Sequence, residues 1–369
     1  MTIELTLFFT EGMSLKAWEG AGMLERELAL YRRLQAAGVQ VTLVTYGRLA
    51  ERAYTERLDG IRLVHNRWKL PNAIYRWWLM TQYRGGRQGW IAKSNQVQGA
   101  EVALAAARRG GRFVARCGYL YSLNTSNEYG PDSAEADKAR RLEKLIFQEA
   151  QKVMVTTEAI RLKIIEVYEL AQSRVQVIPN YVDTDLFHPA GQKTQTQQVC
   201  FVGRLEPEKN IFSLLDAMTG LDAKLTLAGE GSLRGALEVR AAELGVQAQF
   251  LGALPNAALP ALLNDSAVYV LPSLYEGHPK TLIEAMACGA AVVGTNVPGI
   301  RELITDGENG RLCAPDAASL RAALAELLGN AELRARLGAA AREYAVAQFS
   351  LDEVVKLELA LYEDIAEGR

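Results

Sequence analysis

YVLPSLYEGHPKTLIEAMACGAAVVGT, residues Tyr269 to Thr295, is the stretch that decides the fold. It begins within an apolar run, Val268–Leu271, short enough for a buried strand. After a loop, Pro279 suits the first position of a helix, where its missing N–H is not needed. The helix is expected to run through Lys280–Cys288 and to stop at Gly289, with a second buried strand at Ala290–Gly294. Strand, loop, helix and strand make the crossover unit of a parallel sheet. Two acids bracket the loop and helix, Glu276 and Glu284. Glu284 sits among Leu282, Ile283, Ala285 and Met286, and a carboxylate so placed needs a partner. The amides of Lys280 and Thr281 open the helix, where an anion binds. An acid that grips hydroxyls beside amides that grip phosphate suits a nucleotide sugar.

Working outward, the chain of 369 residues is too long for one ordinary core, so two domains are expected. Hydrophobic content of 49% and charged content of 23% read as globular. The net charge of −2 gives no general pull towards nucleic acid. The four cysteines are far apart, which suits a reduced, cytoplasmic protein. The N-terminal TIELTLFFTEG carries Glu4 and no basic leader, so it reads as a strand. No apolar run approaches the ~18 residues of a membrane span.

The pattern on the N-terminal side is βαβ. Strand 3–9 leads through TEGMSLKAWEGAG to an amphipathic helix, Met23–Ala37, closed by Gly38, and then strand 39–44. Gly20 and Gly22 stand at the turn into that helix. They suit either backbone approach to a phosphate or a tight turn alone. From Ile61 to Trp90 no period is clear. Trp68, Trp77, Trp78 and Trp90 mix there with Arg67, Lys69, Arg76, Arg84 and Arg87. Such a mixture lines an acceptor groove, rests on a membrane surface, or is a helix with buried tryptophans and solvated arginines. Helices at 96–109, 133–151 and 159–170 alternate with strands at 112–116, 153–155 and up to Pro179.

PAGQKTQTQQ, residues 189–198, is polar and reads as a linker. The alternation then restarts, and PGIRELI is expected to start a helix at 299–304. The last helix spans 351–366. Repeated βα units on both sides of a linker mean two doubly wound domains, with ligand at C-terminal strand ends. There, GRLEPEKN sets Arg204 and Lys209 directly after a strand, as solvated loop charge or as two cations for a diphosphate. Gly229-x-Gly231 repeats the backbone-approach logic one strand over. Asp183-x-Asp185 reads as a turn and cap rather than a metal pair. The three histidines are scattered, so no histidine metal site is expected.

Taken together, VIPNYVDTDLF, FVGRLEPEKN, LAGEG, LPSLYEGHPKTLIEAMACGAAVVGT, VPGIRELI and DGENGRL resemble the retaining GT-B glycosyltransferases of family 4, "group 1". Glu276 and Glu284 match the paired glutamates of that family. The resemblance implies a GT-B fold, two doubly wound Rossmann-like domains facing across a cleft. The N-terminal, acceptor-binding domain would take residues 1–188, the donor-binding domain 189–349, and about 350–369 would return to the first. It implies that Arg204 and Lys209 bind the donor diphosphate and Glu276 faces the transferred sugar. Glu284 would hold the ribose. The amides of Lys280, Thr281 and Leu282 would hold sugar and phosphate, and Leu254 would border the base. Gly20, Gly22, Gly203, Gly229 and Gly231 would lie along the donor. Three departures stand out: Cys117-Gly118 where many members have His-Gly, Asn180-Tyr181 for Asn-Gly, and Pro298-Gly299 for Gly-Gly. Cys117 is expected to be an apolar filler, not a nucleophile.

The implied activity is transfer of a sugar from a nucleoside-diphosphate sugar to an acceptor hydroxyl, in glycan or lipid-linked glycan synthesis. The implied route is front-face displacement with an electrostatically stabilised leaving group. No cofactor and no metal are implied. The partners are the donor and a glycan or lipid-linked acceptor, with the inner membrane face as a docking place and no nucleic acid. A GT-B epimerase and a non-catalytic nucleotide-sugar-binding module are the other readings.

Overall fold

The computed structural model describes residues 2–86, 89–191 and 197–368. Arg87 and half of the expected linker, residues 192–196, lie outside the described residues. The chain forms two compact units, Met1–Pro179 with Val354–Arg369, and Asn180–Glu353. The division falls after Pro179, not after His188. Backbone bonding is the reason: Val182 N–H donates to Phe349 C=O at 2.8 Å, and Leu351 N–H to Val182 C=O at 2.9 Å. Phe187 is also buried in the core of the second unit.

Among the described residues, the first unit holds a seven-stranded parallel sheet: β1 (Glu4–Phe8), β2 (Gln40–Val44), β3 (Arg62–Val64), β4 (Ile91–Ser94), β5 (Arg112–Cys117), β6 (Lys152–Val155) and β7 (Val175–Val177). Their order is β3-β2-β1-β4-β5-β6-β7, so chain direction across the sheet reverses between β1 and β4. The second unit holds β8 (Gln198–Val202), β9 (Lys224–Ala228), β10 (Ala248–Gly252), β11 (Val268–Leu271), β12 (Ala291–Thr295) and β13 (Arg311–Cys313), ordered β10-β9-β8-β11-β12-β13. Its reversal lies between β8 and β11. Strands such as β11 and β12 are buried along their whole length, because helices cover both faces of such a sheet. That is why they read as short unbroken apolar runs.

The segment without a clear period folds as β3, a turn, and the helix Asn72–Gln82. Asn66 makes the turn by bonding both backbone groups of Leu70, donating to its C=O at 2.7 Å and accepting from its N–H at 3.0 Å. Pro71 then caps the helix. The tryptophans divide: Trp90 is buried against Phe8 and Tyr83, whereas Trp77 is 61% exposed. The loop after β1 contains an extra short helix, Leu15–Gly20. Residues 299–304 form successive turns and not the expected helix. Gly299 has φ +83°, a left-handed conformation that a helix interior does not admit.

One charged residue is fully inside the first sheet. Lys93, on β4, is 0% exposed and donates to both carboxylate oxygens of Glu358, at 2.7 and 2.8 Å. Glu358 lies on the last helix, Leu351–Glu367, and accepts a further bond from Tyr362 OH at 2.6 Å. The rings of Tyr31 and Tyr362 stand 5.4 and 5.8 Å from the ammonium. The last helix is therefore fastened to the first sheet by a dry ion pair. Removing one partner of such a pair costs about 3–5 kcal/mol, because the other is left charged and buried. Lys93→Met is expected to destabilise the first unit by that amount in urea titration, and Lys93→Met with Glu358→Leu to recover most of it. Equal stability of Lys93→Met and wild type refutes the fastening role.

Candidate functional site

The second sheet reverses between β8 and β11, the place where ligands gather in open α/β sheets. The loops leaving those two strands carry Arg204, Lys209 and Glu276, and they are tied together. Leu274 N–H donates to Glu208 C=O at 2.8 Å. Asn210 Nδ2 donates to Pro272 C=O at 3.1 Å and to Pro315 C=O at 2.8 Å. Across this join Lys209 Nζ donates to Glu276 Oε1 at 2.5 Å, and Ser273 Oγ to the same oxygen at 2.7 Å. Lys209 and Glu276 are both largely buried. Arg204 differs: its side chain is 73% exposed and pairs with Glu208 at 2.7 Å.

The helix after the loop is Lys280–Ala287, with Pro279 as its cap residue. The first amides of a helix have no acceptor within it, so those of Lys280, Thr281 and Leu282 are oriented for an anion. Leu282 contributes only that amide, because its side chain is wholly in the core. Thr281 is fixed from below, its Oγ1 accepting from Tyr269 OH at 2.8 Å. Burial pushes the Tyr269 phenol well above its ordinary value. Glu284 is 2% exposed, and its partner is Asn256, whose Nδ2 donates to Oε1 at 3.0 Å. Asn256 follows Leu254 by two residues, and Leu254 is partly buried against the core.

The glycines have a structural reason of their own. A Cβ on Gly229 would overlap Gly203 C=O, and one on Gly231 would overlap the backbone of Leu205. What approaches these glycines is the neighbouring loop. Gly203 N–H donates to Ala228 C=O at 3.0 Å and Leu205 N–H to Glu230 C=O at 2.9 Å, which prolongs the sheet beyond its strand ends. In the first unit, Gly20 ends the short helix with nothing within 4 Å of its Cβ position. Gly22 closes that helix: its N–H donates to Glu19 C=O at 2.8 Å, and Met23 N–H to Trp18 C=O at 2.8 Å. Both are thus helix-ending residues in the geometry present.

Sequence reasoning missed four contributors. Asn256 partners Glu284. His278 receives Asn180 N–H on Nδ1 at 3.3 Å and returns its own C=O to Asn180 Nδ2 at 2.7 Å. Tyr181 stands where the resembled motif has glycine, and its ring lies 5.8 Å from the Lys280 ammonium. Ser273 orients Glu276. The Pro-Asn pair at 255–256 carried a local signal, as a turn, and Tyr181 stood out only as a departure from the family motif. Asp183 Oδ1 accepts from Asp185 N–H at 3.1 Å and Leu186 N–H at 3.4 Å, as a turn and cap does. Among the described residues, no three His, Cys, Asp or Glu side chains gather as a metal site would need. Cys117, at the end of β5, is buried and lies 3.1 Å from Tyr119 C=O. Burial pushes its thiol well above the ordinary range, the reverse of an activated nucleophile.

Two doubly wound units, each with its own sheet reversal, and a cation, paired acids and a helix start at the second reversal define the GT-B class of glycosyltransferase. Residues 183–344 match the family "Glycosyl transferases group 1", and residues 27–186 match "Glycosyltransferase Family 4". The two matches together span most of the chain, and the chain belongs to these glycosyltransferases. MMP alpha-(1->4)-mannosyltransferase of Mycolicibacterium hassiacum is 30% identical over 230 residues, covering 60% of this chain and 56% of that protein. Phosphatidyl-myo-inositol mannosyltransferase of Mycobacterium leprae is 35% identical over 201 residues, 51% of this chain and 53% of its own. The chain thus spans little more than half the length of these relatives. In fold it is similar to sucrose-phosphate synthase from Thermosynechococcus elongatus, with TM-score 0.80 and 20% identity over 100% of both chains. It is also similar to Anabaena HepE in complex with UDP and glucose, with TM-score 0.77 and 18% identity over 98% of this chain and 100% of that one.

The Glu276 loop is held by backbone. Gly299 has φ +83°, and a Cβ there would stand 2.5 Å from the carbonyl oxygens of both Glu276 and Gly277. Gly299→Ala is therefore expected to lose about 1–3 kcal/mol of stability, the scale of a strained residue, measured by thermal melting. An unchanged melting temperature would show that the loop is free to move.

Proposed function

We propose that this chain transfers a sugar from a nucleoside-diphosphate sugar to an acceptor hydroxyl with retention of anomeric configuration. The observation that carries the reading is the contact of Lys209 with Glu276 at 2.5 Å, in the loop that leads to the start of the helix Lys280–Ala287. Relatives that are mannosyltransferases and a structural neighbour solved with UDP and glucose support it.

In this mechanism the diphosphate takes the ammonium of Lys209 and the guanidinium of Arg204, and meets the amides of residues 280–282. The sugar takes the place beside Glu276, which Ser273 holds in position. The ribose hydroxyls reach Glu284, with Asn256 keeping its carboxylate oriented. As the anomeric bond breaks, charge grows on the leaving phosphate, where cations and amides already stand. The departing phosphate oxygen accepts the proton of the incoming hydroxyl on the same face, which retains configuration and asks no side chain to be a base. The cations meet the diphosphate without a metal. In the absence of donor, Lys209 is neutralised by Glu276.

One assay tests this: release of nucleoside diphosphate from UDP-glucose and GDP-mannose in the presence of sugar acceptors. Lys209→Ala or Arg204→Ala is expected to lower turnover about 10²–10³-fold, the scale of one lost donor to a developing anion. Glu284→Ala is expected to raise the donor KM more than it lowers kcat, since a ribose contact is shared by ground and transition states. EDTA is expected to leave the wild-type rate unchanged. Full rates in the cation variants, or loss with EDTA, refute the corresponding step.

The acceptor belongs to the first unit in this proposal, and a membrane surface is one place it is met. Trp68, Ile74 and Trp77 are all exposed, with the Arg67 guanidinium 4.6 Å from the Trp68 ring. Exposed aromatic and basic groups together suit an interfacial contact. Among the described residues no helix is long and apolar enough to cross a membrane. Co-sedimentation with phosphatidylglycerol vesicles that Trp77→Ser reduces is the expected result. No sedimentation of wild type removes the membrane from the proposal.

A further inference from the structure

A second set of polar groups stands at the reversal of the first sheet. Glu11 follows β1, Tyr46 follows β2, and Glu101 lies in the first turn of the helix Ala100–Ala107 that follows β4. Arg76 reaches them from the helix Asn72–Gln82. Its Nη2 donates to Glu101 Oε1 at 2.5 Å, and its Nη1 lies 3.4 Å from Glu11 Oε2. Tyr46 is 5% exposed, with its ring edge-on to Tyr75 at 5.8 Å. Burial, and then the charge of Glu11, push its phenol far above the ordinary value, with Arg76 and Glu101 also acting on it. The loop is closely fitted here: Tyr46 N–H donates to Met13 C=O at 2.9 Å, and a Cβ on Gly99 would stand 3.0 Å from Glu11 N.

Four polar atoms of this cluster are covered from solvent and have no hydrogen-bond partner among the described residues: Tyr46 OH, Tyr75 OH, Arg76 Nε and Glu101 Oε2. Buried polar groups are almost always paired, so several orphans in one place call for an occupant. Their chemistry is mixed. The carboxylate oxygen only accepts, the guanidinium nitrogen only donates, and the phenols do either. A phosphate would bring acceptors alone and face two carboxylates. A metal cation would face the guanidinium. A vicinal diol brings hydroxyls that each donate and accept, and it adds no charge to a cluster in which Arg76 already bridges two acids.

We propose that Glu11, Tyr46, Arg76 and Glu101 form a subsite for a neutral sugar ring, with Tyr46 as its floor. In the transferase reading this ring is the acceptor's, and that assignment alone rests on the reading. Entry is by parting Arg76 from Glu11, the longer of its two contacts, since both side chains are partly exposed. Beyond Tyr75 a run of rings continues through Trp78, stacked at 5.9 Å, to Trp68 at 4.8 Å from Trp78, which offers apolar faces to further sugar units.

The test uses the methyl glycosides of glucose, mannose, galactose and N-acetylglucosamine, with no nucleotide sugar present, read by thermal melting of the full chain. At least one is expected to raise the wild-type melting temperature with concentration. Tyr46→Phe is expected to melt no lower than wild type without sugar, because its hydroxyl has no partner to lose. It is expected to need about tenfold more sugar for the same rise, the effect of one hydrogen bond to a ligand. Glu101→Gln keeps the shape and is expected to weaken sugar binding likewise. The proposal is overturned if no glycoside acts on wild type, or if Tyr46→Phe responds as wild type does, the result of a buried water filling the place. It is overturned equally if Tyr46→Phe melts well below wild type. Failure of the donor reading shows separately, as absence of nucleoside-diphosphate release, which these sugar-only melts do not involve.

Discussion

The candidate donor site depends on backbone pressed against backbone. Gly299 leaves room for the carbonyls of Glu276 and Gly277, Gly229 for that of Gly203, and Gly231 for Leu205. No side chain fits in these contacts, so the loops after β8, β9, β11 and β12 stack as a single layer above the sheet. The charges of the site ride on that layer. A long flexible side chain such as Lys209 gains direction only if the carboxylate it meets is itself fixed. Glu276 is fixed twice, by Ser273 and by the loop beneath it. Preorganisation of this kind is what makes a cation effective when charge develops, since nothing has to reorient at that moment.

The first unit solves a different problem by the opposite means. Its last helix arrives from the far end of the sequence and must dock in one register. An apolar face alone would tolerate sliding by a turn. Lys93 and Glu358 do not, because either charge without the other is buried at a cost of several kcal/mol. The pair adds little net stability over well-packed apolar residues, but it separates the correct docking from its neighbours. Such a pair gives no periodic signal: Lys93 reads as the polar residue of an otherwise apolar strand, and Glu358 as one acid among several on an amphipathic helix.

That contrast accounts for what was legible in the sequence. Strands such as β8, β11 and β12, with the helix Lys280–Ala287, were readable because burial on both faces leaves unbroken apolar runs bounded by Pro and Gly. Arg204, Lys209, Glu276 and Glu284 were readable by place, directly after strands or on a helix among apolar residues. Contacts between distant segments were not. Asn256 with Glu284, Asn180 with His278, and Arg76 with Glu11 and Glu101 join residues that no local pattern relates. Glycine is ambiguous in sequence for the same reason. At 20, 22, 229 and 231 it suits either ligand approach or a close backbone contact, and the helix end or neighbouring loop that each one meets shows only in the fold. At 299 a glycine was expected to open a helix, and its left-handed backbone and the turns that follow it show otherwise.

Arg204 and Lys209 are not equivalent, and in the proposed mechanism their different surroundings would divide the work between them. Arg204 is mostly in water and shares a contact with Glu208 four residues on, a pairing worth under about 1 kcal/mol at such exposure. It is therefore cheap to redirect towards a diphosphate, and its fork suits two oxygens at once. Lys209 is held in a drier place with Glu276. There the field is stronger and the geometry tighter, but a ligand must compete with a carboxylate for the ammonium. A diphosphate carries more negative charge than one carboxylate, so it can win that contest, whereas a neutral sugar cannot. The Lys209–Glu276 contact thus favours a ligand whose anionic and hydroxyl parts arrive together, one part for each member of the pair.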